Sequence, residues 1–233
     1  MVLVIWQFGV SLFHIPKYEV STPTLILQTY ESNWRLIWYN FELTLFEAVA
    51  GMLIGTVVGY GLGVALGYSR LLEKATLPYV VAATTIPVVA IVPILLVVLG
   101  EGAASKIAVT AFITFFPLTL NTLRGMRAAP RSSVELFRVM AASRRHTFLK
   151  LRAPAALPYV FVGLRLAAAG AAVGAIVAEF IGSQRGLGYL LLNASYDLDT
   201  PLLWSVMIAA AALGVGLFVF ILILERIFLV WHE

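Results

Sequence analysis

The chain predicts an all-α integral membrane protein, and three observations predict it. Hydrophobic residues make up 61% of the 233 and charged residues 12%, about half the charged share of a soluble domain. The apolar residues are gathered into runs long enough to cross a ~30 Å hydrocarbon core as helices. Nine of the sixteen Lys and Arg residues lie in one internal stretch from Arg124 to Arg165, against a single acid, Glu135. Positive charge gathered into one loop of a membrane chain marks that loop as cytoplasmic. The net charge of +4 is then the signature of such a loop and not of nucleic-acid binding. Cysteine is absent, which excludes disulfides and thiolate metal sites on these residues.

The apolar opening, residues 1–13, has no Lys or Arg before it and no small-residue cleavage site after it, so a cleaved signal peptide is not expected. Thirteen helical residues reach only about 20 Å. Residues 43–68 are interrupted only by Glu47, and residues 75–99 carry Pro78, Pro87 and Pro93 but no charge. Residues 107–123 contain Pro117. Residues 157–182 carry Arg165 and Glu179 near their ends, and residues 202–224 are uncharged. With the basic stretch inside, alternation places Arg70, Lys74 and Arg226 inside as well and leaves Lys17, Arg35, Lys106 and Arg185 outside. That asymmetry, eleven against four with Arg165 at a helix start, predicts six crossings with both termini cytoplasmic, or five if the first segment lies in the interface. The chain reads as one transmembrane domain over 1–233, with a core at about 43–228 and a cytoplasmic loop at 124–160.

Gly51, Gly55, Gly59, Gly63 and Gly67 recur every fourth residue and let helix backbones approach closely. Four residues advance about 400°, so the stripe winds round its helix and is expected to meet more than one neighbour. The alanine-rich run 167–175, with Gly170 and Gly174, is a second close-packing face. The prolines of 75–99 remove hydrogen bonds and predict a kinked or interrupted helix. Such a helix either lines a pathway, with Thr84, Thr85, Pro87 and Pro93 as its candidates, or is kinked for packing alone; Glu179 is a further pathway candidate as an intramembrane acid. Glu47 and Glu179 both fall near membrane ends, where pairing or snorkelling also accounts for them. His14, His146 and His232 lack metal-ligand spacing. Residues 183–199, with Asp197 and Asp199, read as a solvated outer loop.

Inside the loop, Ser132 or Ser133 is positioned to cap a helix that continues through Glu135. Leu136, Phe137, Met140 and Ala141 form its apolar face, with Arg138, Arg144 and Arg145 polar. An amphipathic helix of this kind lies on anionic headgroups or docks into a partner's groove, and its charge pattern leaves both open.

The spacing of Glu135, Ala141, Leu151 and Pro154 resembles the loop of ABC importer permeases that carries Glu-Ala-Ala, a glycine and a terminal Ile-x-Leu-Pro. Leu136 and Phe137 replace the two alanines, Ala141 the glycine and Ala153 the leucine. Gly186, Leu187, Gly188 and Tyr189 resemble a stretch of the sulfonate, nitrate and taurine subfamily, as do the paired prolines Pro87 and Pro93 and the ending from Leu224 to Trp231. The resemblance implies a five-helix type I importer core plus an N-terminal segment. It also implies a coupling helix seating in an ATPase through Glu135, Leu136, Phe137, Met140, Ala141, Ser143, Arg144 and Pro154. The implied partners are an ATPase dimer carrying ATP and Mg, a second permease copy and an extracytoplasmic solute-binding protein, in the inner membrane of a prokaryote. Sulfonates, taurine, nitrate, pyrimidine vitamin precursors and riboflavin are the implied cargo.

No GxxxxGK[ST] is present, so these residues supply no nucleotide site of that kind, and no cofactor is expected on this chain. An ion-coupled secondary transporter would call for inverted repeats and mid-membrane acids. A membrane enzyme would call for a nucleophile with its base, paired carboxylates or a metal set. The sequence presents none of these.

Overall fold

The computed structural model describes residues 1–13, 16 and 19–229, and every regular element among them is helical. His14, Lys17, His232 and the last residues of the ending at Trp231 lie outside the described residues. The order is α1 (Val2–Leu12), α2 (Pro23–Ser32), α3 (Trp34–Tyr68), α4 (Arg70–Ala83), α5 (Val88–Leu99), α6 (Ala103–Met126), α7 (Arg131–Val139), α8 (Arg144–Thr147), a π-helical turn (Phe148–Arg152), α9 (Ala153–Gly182), α10 (Leu187–Tyr196) and α11 (Thr200–Phe228).

Four stretches are long and apolar enough to cross a membrane: α3, α6, α11 and the continuous segment Arg144–Gly182 that ends in α9. The pair α4 and α5 adds a fifth, bent by 99°. The eleven residues of α1 reach about 16 Å, so α1 is not among these stretches. α1 instead packs at the start of α11, where the Trp6 and Trp204 rings lie 5.1 Å apart.

The bend between α4 and α5 falls at one of the three prolines. Pro87 immediately precedes α5, while Pro78 and Pro93 are accommodated inside their helices. Pro87 disfavours helix at Ile86 and cannot donate to Ala83. Ala83 O accepts instead from Ile86 N at 3.3 Å, and the last turn of α4 is tightened further by Thr84 Oγ1 donating to Val81 O and Thr85 Oγ1 to Ala82 O, each at 2.7 Å.

α6 is the central helix, flanked by α3 and α9. The glycine stripe decides the first contact. A Cβ at Gly51 would strike Thr110, one at Gly55 Thr114, at Gly59 Leu118, at Gly63 Thr122 and at Gly67 Met126. All five glycines therefore face one helix, against the expectation of several neighbours. The reason is that the α6 positions also recur every fourth residue, so both seams drift in the same direction and the helices wrap round each other. A repeat longer than 3.6 residues makes that wrap right-handed. On the other side, Gly125 of α6 meets Ala156 and Gly174 of α9 meets Thr110, and the buried alanines Ala167, Ala168, Ala171 and Ala175 complete the seam.

Candidate functional site

Two polar regions sit at opposite ends of this bundle. The first is the basic loop. α7 begins at Arg131 with Pro130 before it, so Ser132 and Ser133 fall within its first turn and do not cap it. Proline's fixed φ suits that entry. Leu136, Val139 and Met140 are 57%, 85% and 69% exposed, an apolar surface with no cover in this subunit. Phe137, expected on the same face, turns back against the ring of His146 at 6.1 Å. Glu135 is exposed and forms no ion pair among the described residues. Ala141 ends the helix at φ 52°, in the left-handed region where glycine is favoured. Its position in the loop motif, where the permease pattern has glycine, thereby acquires a conformational reason.

Ser143 Oγ accepts from His146 N at 3.2 Å and caps α8, which Arg144 opens. From there the chain stays helical through the π turn into α9, with Pro154 in the first turn of α9, where proline is tolerated. Tyr68 at the end of α3 clamps the π turn: its ring meets Phe148 at 6.0 Å and carries the Arg152 guanidinium at 5.3 Å. Arg144–Gly182 is thus one helical rod of 39 residues, about 58 Å long.

The second region is buried at the far end of that rod. Glu179, expected as a pathway candidate, is 1% exposed and turned into the subunit. Its Oε1 accepts from Thr44 Oγ1 at 2.7 Å and its Oε2 from Gly188 N at 2.6 Å. Thr44 Oγ1 also accepts from Leu187 N at 2.8 Å, and Asn40 Oδ1 accepts from Gly186 N at 2.7 Å. The amides of the N-cap Gly186 and of the first two residues of α10 are therefore satisfied by side chains of α3 and α9, a helix N-terminus capped in trans. Gly186 has φ 110°, and a Cβ there would strike the Glu179 carboxyl. A Cβ at Gly188 would strike the Ile176 carbonyl oxygen. The Gly-Leu-Gly stretch is thus a packing requirement, and residues 187–196 form a helix where a solvated loop was expected.

Lys106, counted among the outer charges, is likewise buried. Its Nζ donates to the carbonyls of Glu101 and Gly182, closing the end of α9. Its charge also acts on Glu47 and Glu179, which lie beside each other. Asn40, Thr44 and Lys106 were not singled out from sequence. The first two with Glu47 recur at i, i+4 and i+7, a polar stripe legible on an otherwise apolar helix. Of the remaining candidates, Thr84, Thr85 and Pro87 are exposed at the bend, and Pro93 is exposed on α5. None of them takes part in Glu179's hydrogen-bond network: Thr84 and Thr85 donate to carbonyls of α4.

A family described as the inner membrane component of binding-protein-dependent transport systems matches residues 26–229. This chain belongs to that family. It is an importer permease subunit, a multi-pass membrane protein that moves a small solute and is not itself a catalyst. Its resemblance to the sulfonate subfamily and the absence of a Walker motif accord with that membership. A formylaminopyrimidine transport permease of Halalkalibacterium halodurans is 33% identical over all of this chain and 93% of its own length. A riboflavin transport system permease of Chloroflexus aurantiacus is 34% identical over all of this chain and 87% of its own. A putative aliphatic sulfonates permease of Bacillus subtilis is 29% identical, over all of this chain and 85% of its own. Membership implies an ATPase and a binding protein as the permease's general partners.

Proposed function

We propose that the permease couples to its ATPase through α7 and the turn after it, and that the basic loop is cytoplasmic. The observation that carries this reading is the unbroken rod from Arg144 to Gly182. A displacement of the loop by a nucleotide-driven ATPase is delivered along that rod to the capped α10 at the other end. Leu136, Val139 and Met140 are the apolar surface the ATPase covers, with Glu135 and Arg144 beside it. Ser143 and Ala141 shape the turn, and Phe137 and Pro154 hold it on α8 and α9.

With five crossings and the loop inside, α10 faces outward, where the binding protein docks. Two copies enclose the pathway, since a single subunit presents Thr84, Thr85, Pro87 and Pro93 on an open face. The prokaryotic inner membrane is the setting. A heteroaromatic vitamin precursor is the cargo class to test first, because the pyrimidine- and riboflavin-named relatives are 33% and 34% identical and the sulfonate-named one 29%.

The absence of cysteine makes a single Arg144→Cys substitution a unique label site. An impermeant maleimide should react in inside-out vesicles and not in sealed cells; labelling from the cell exterior would overturn the orientation. Leu136→Asp with Met140→Asp should abolish co-purification of the ATPase. Retention of the ATPase at wild-type yield would remove α7 as the docking face.

A further inference from the structure

The cytoplasmic end holds a cleft that the coupling assignment does not use in full. It has a volume of about 1870 Å³ and lies between α4 and the loop. Seven basic side chains line it against two acids. Arg127 is paired with Glu73, and Arg152 is committed to Tyr68 and Gly67 O. Arg70 and Lys74 on one wall, and Arg131, Arg138 and Arg144 on the other, have no ion-pair partner among the described residues. The cleft is not basic throughout. Leu77, Pro78 and Val81 of α4 and Val134 of α7 supply apolar lining. The α4 wall continues onto Leu71 and Tyr79, which are 81% and 76% exposed.

We infer that this cleft binds an anionic phospholipid of the inner leaflet, its phosphate held between the α4 and α7 cations and its acyl chains along the apolar face of α4. The inference rests on the cytoplasmic placement proposed above. The depth fits: the cleft is bounded by Gly67 and Tyr68, where the apolar run of α3 ends. The chemistry fits as well, because guanidinium groups hold phosphate bidentately and basic pockets on the cytoplasmic side of transmembrane helices recruit anionic headgroups. An acidic protein segment would satisfy the cations but leave the α4 hydrocarbon wall uncovered, whereas a phospholipid matches both surfaces.

The test uses the full-length permease purified in its complex, delipidated, and offered equal amounts of phosphatidylglycerol and phosphatidylcholine, with retained lipid counted by native mass spectrometry. The wild type should retain phosphatidylglycerol preferentially. Arg70→Gln with Lys74→Gln should reduce that preference by about fivefold per cation removed, and Arg131→Gln should reduce it from the opposite wall. Equal retention of the two lipids by the wild type, or undiminished preference in both variants, would overturn the site. Full displacement of the lipid by millimolar glycerol phosphate would show the apolar wall to be unused and would also sink the proposal. Lipid counting does not read ATPase binding, so its failure is distinguishable from failure of the coupling face, and maleimide labelling reads the orientation separately.

Discussion

Thr44 Oγ1 lies 2.7 Å from Glu179 Oε1, a hydrogen bond between helices 135 residues apart in sequence. The same hydroxyl accepts from Leu187 N, so one threonine ties α3, α9 and the start of α10 together. Buried hydroxyls of this kind are asymmetric in their effect: the bond adds modestly, but removing it strands a donor and an acceptor.

Thr44→Val should therefore lower the stability of the permease by about 1–3 kcal/mol, while Thr44→Ser stays close to wild type. Thermal unfolding in detergent, followed by tryptophan fluorescence, reads the difference. Equal midpoints for the valine and serine variants would mean that the hydroxyl network contributes nothing.

Lys106 is buried, its charge acts on Glu47 and Glu179, and its Nζ holds the carbonyls at Glu101 and Gly182. Removing one member of a buried charge cluster leaves the others uncompensated, so Lys106→Met should cost about 3–5 kcal/mol. Adding Glu47→Gln should restore part of that loss, since the two sites are not independent. Additive losses in the double variant would argue against their coupling.

The glycine seam makes a sharp positional prediction. At Gly55 a Cβ would meet the Thr114 hydroxyl and come within 2.6 Å of the Ala111 carbonyl oxygen, which belongs to the α6 backbone and cannot rotate away. Gly55→Ala should destabilise by about 1–3 kcal/mol through overpacking. Gly61, on the same helix with nothing within 4 Å, is the control: alanine there should be neutral or gain up to about 1 kcal/mol of helix propensity. Paired thermal melts decide it, and a destabilised Gly61→Ala would undermine the assignment of the seam.

Ala141 carries the strain of the turn after α7 at φ 52°. Left-handed backbone costs a residue with a Cβ about 1–2 kcal/mol, and glycine's greater unfolded freedom returns about 0.4–1 kcal/mol of that. Ala141→Gly should thus raise stability by about 0.5–1 kcal/mol, and Ala141→Val should lower it. Stimulation of the ATPase by the valine variant should fall with it. A valine variant as stable as wild type would mean the turn relaxes freely.

Much of the basic-loop end was legible from residues near one another in the chain. The separation of Glu135, Ala141 and Pro154, and the apolar Leu136 and Met140, are local patterns that a short helix and its exit turn must display. The exact face was not legible, because Phe137 turns toward His146, a residue beyond the helix itself. The far end was less accessible. Asn40, Thr44 and Glu47 mark a polar stripe, but its partners Lys106, Glu179 and Gly186 come from other helices, and no local spacing announces them.

Composition and hydropathy alone determined that this is a helical membrane protein with a basic loop, because bilayer thickness and backbone hydrogen bonding leave few other solutions. Spacing alone placed the glycines on a winding seam. Tertiary structure decided which helix meets that seam, where three prolines yield one bend, and why Glu179 faces inward. Those outcomes depend on contacts between helices distant in sequence, whose side chains must share one buried space.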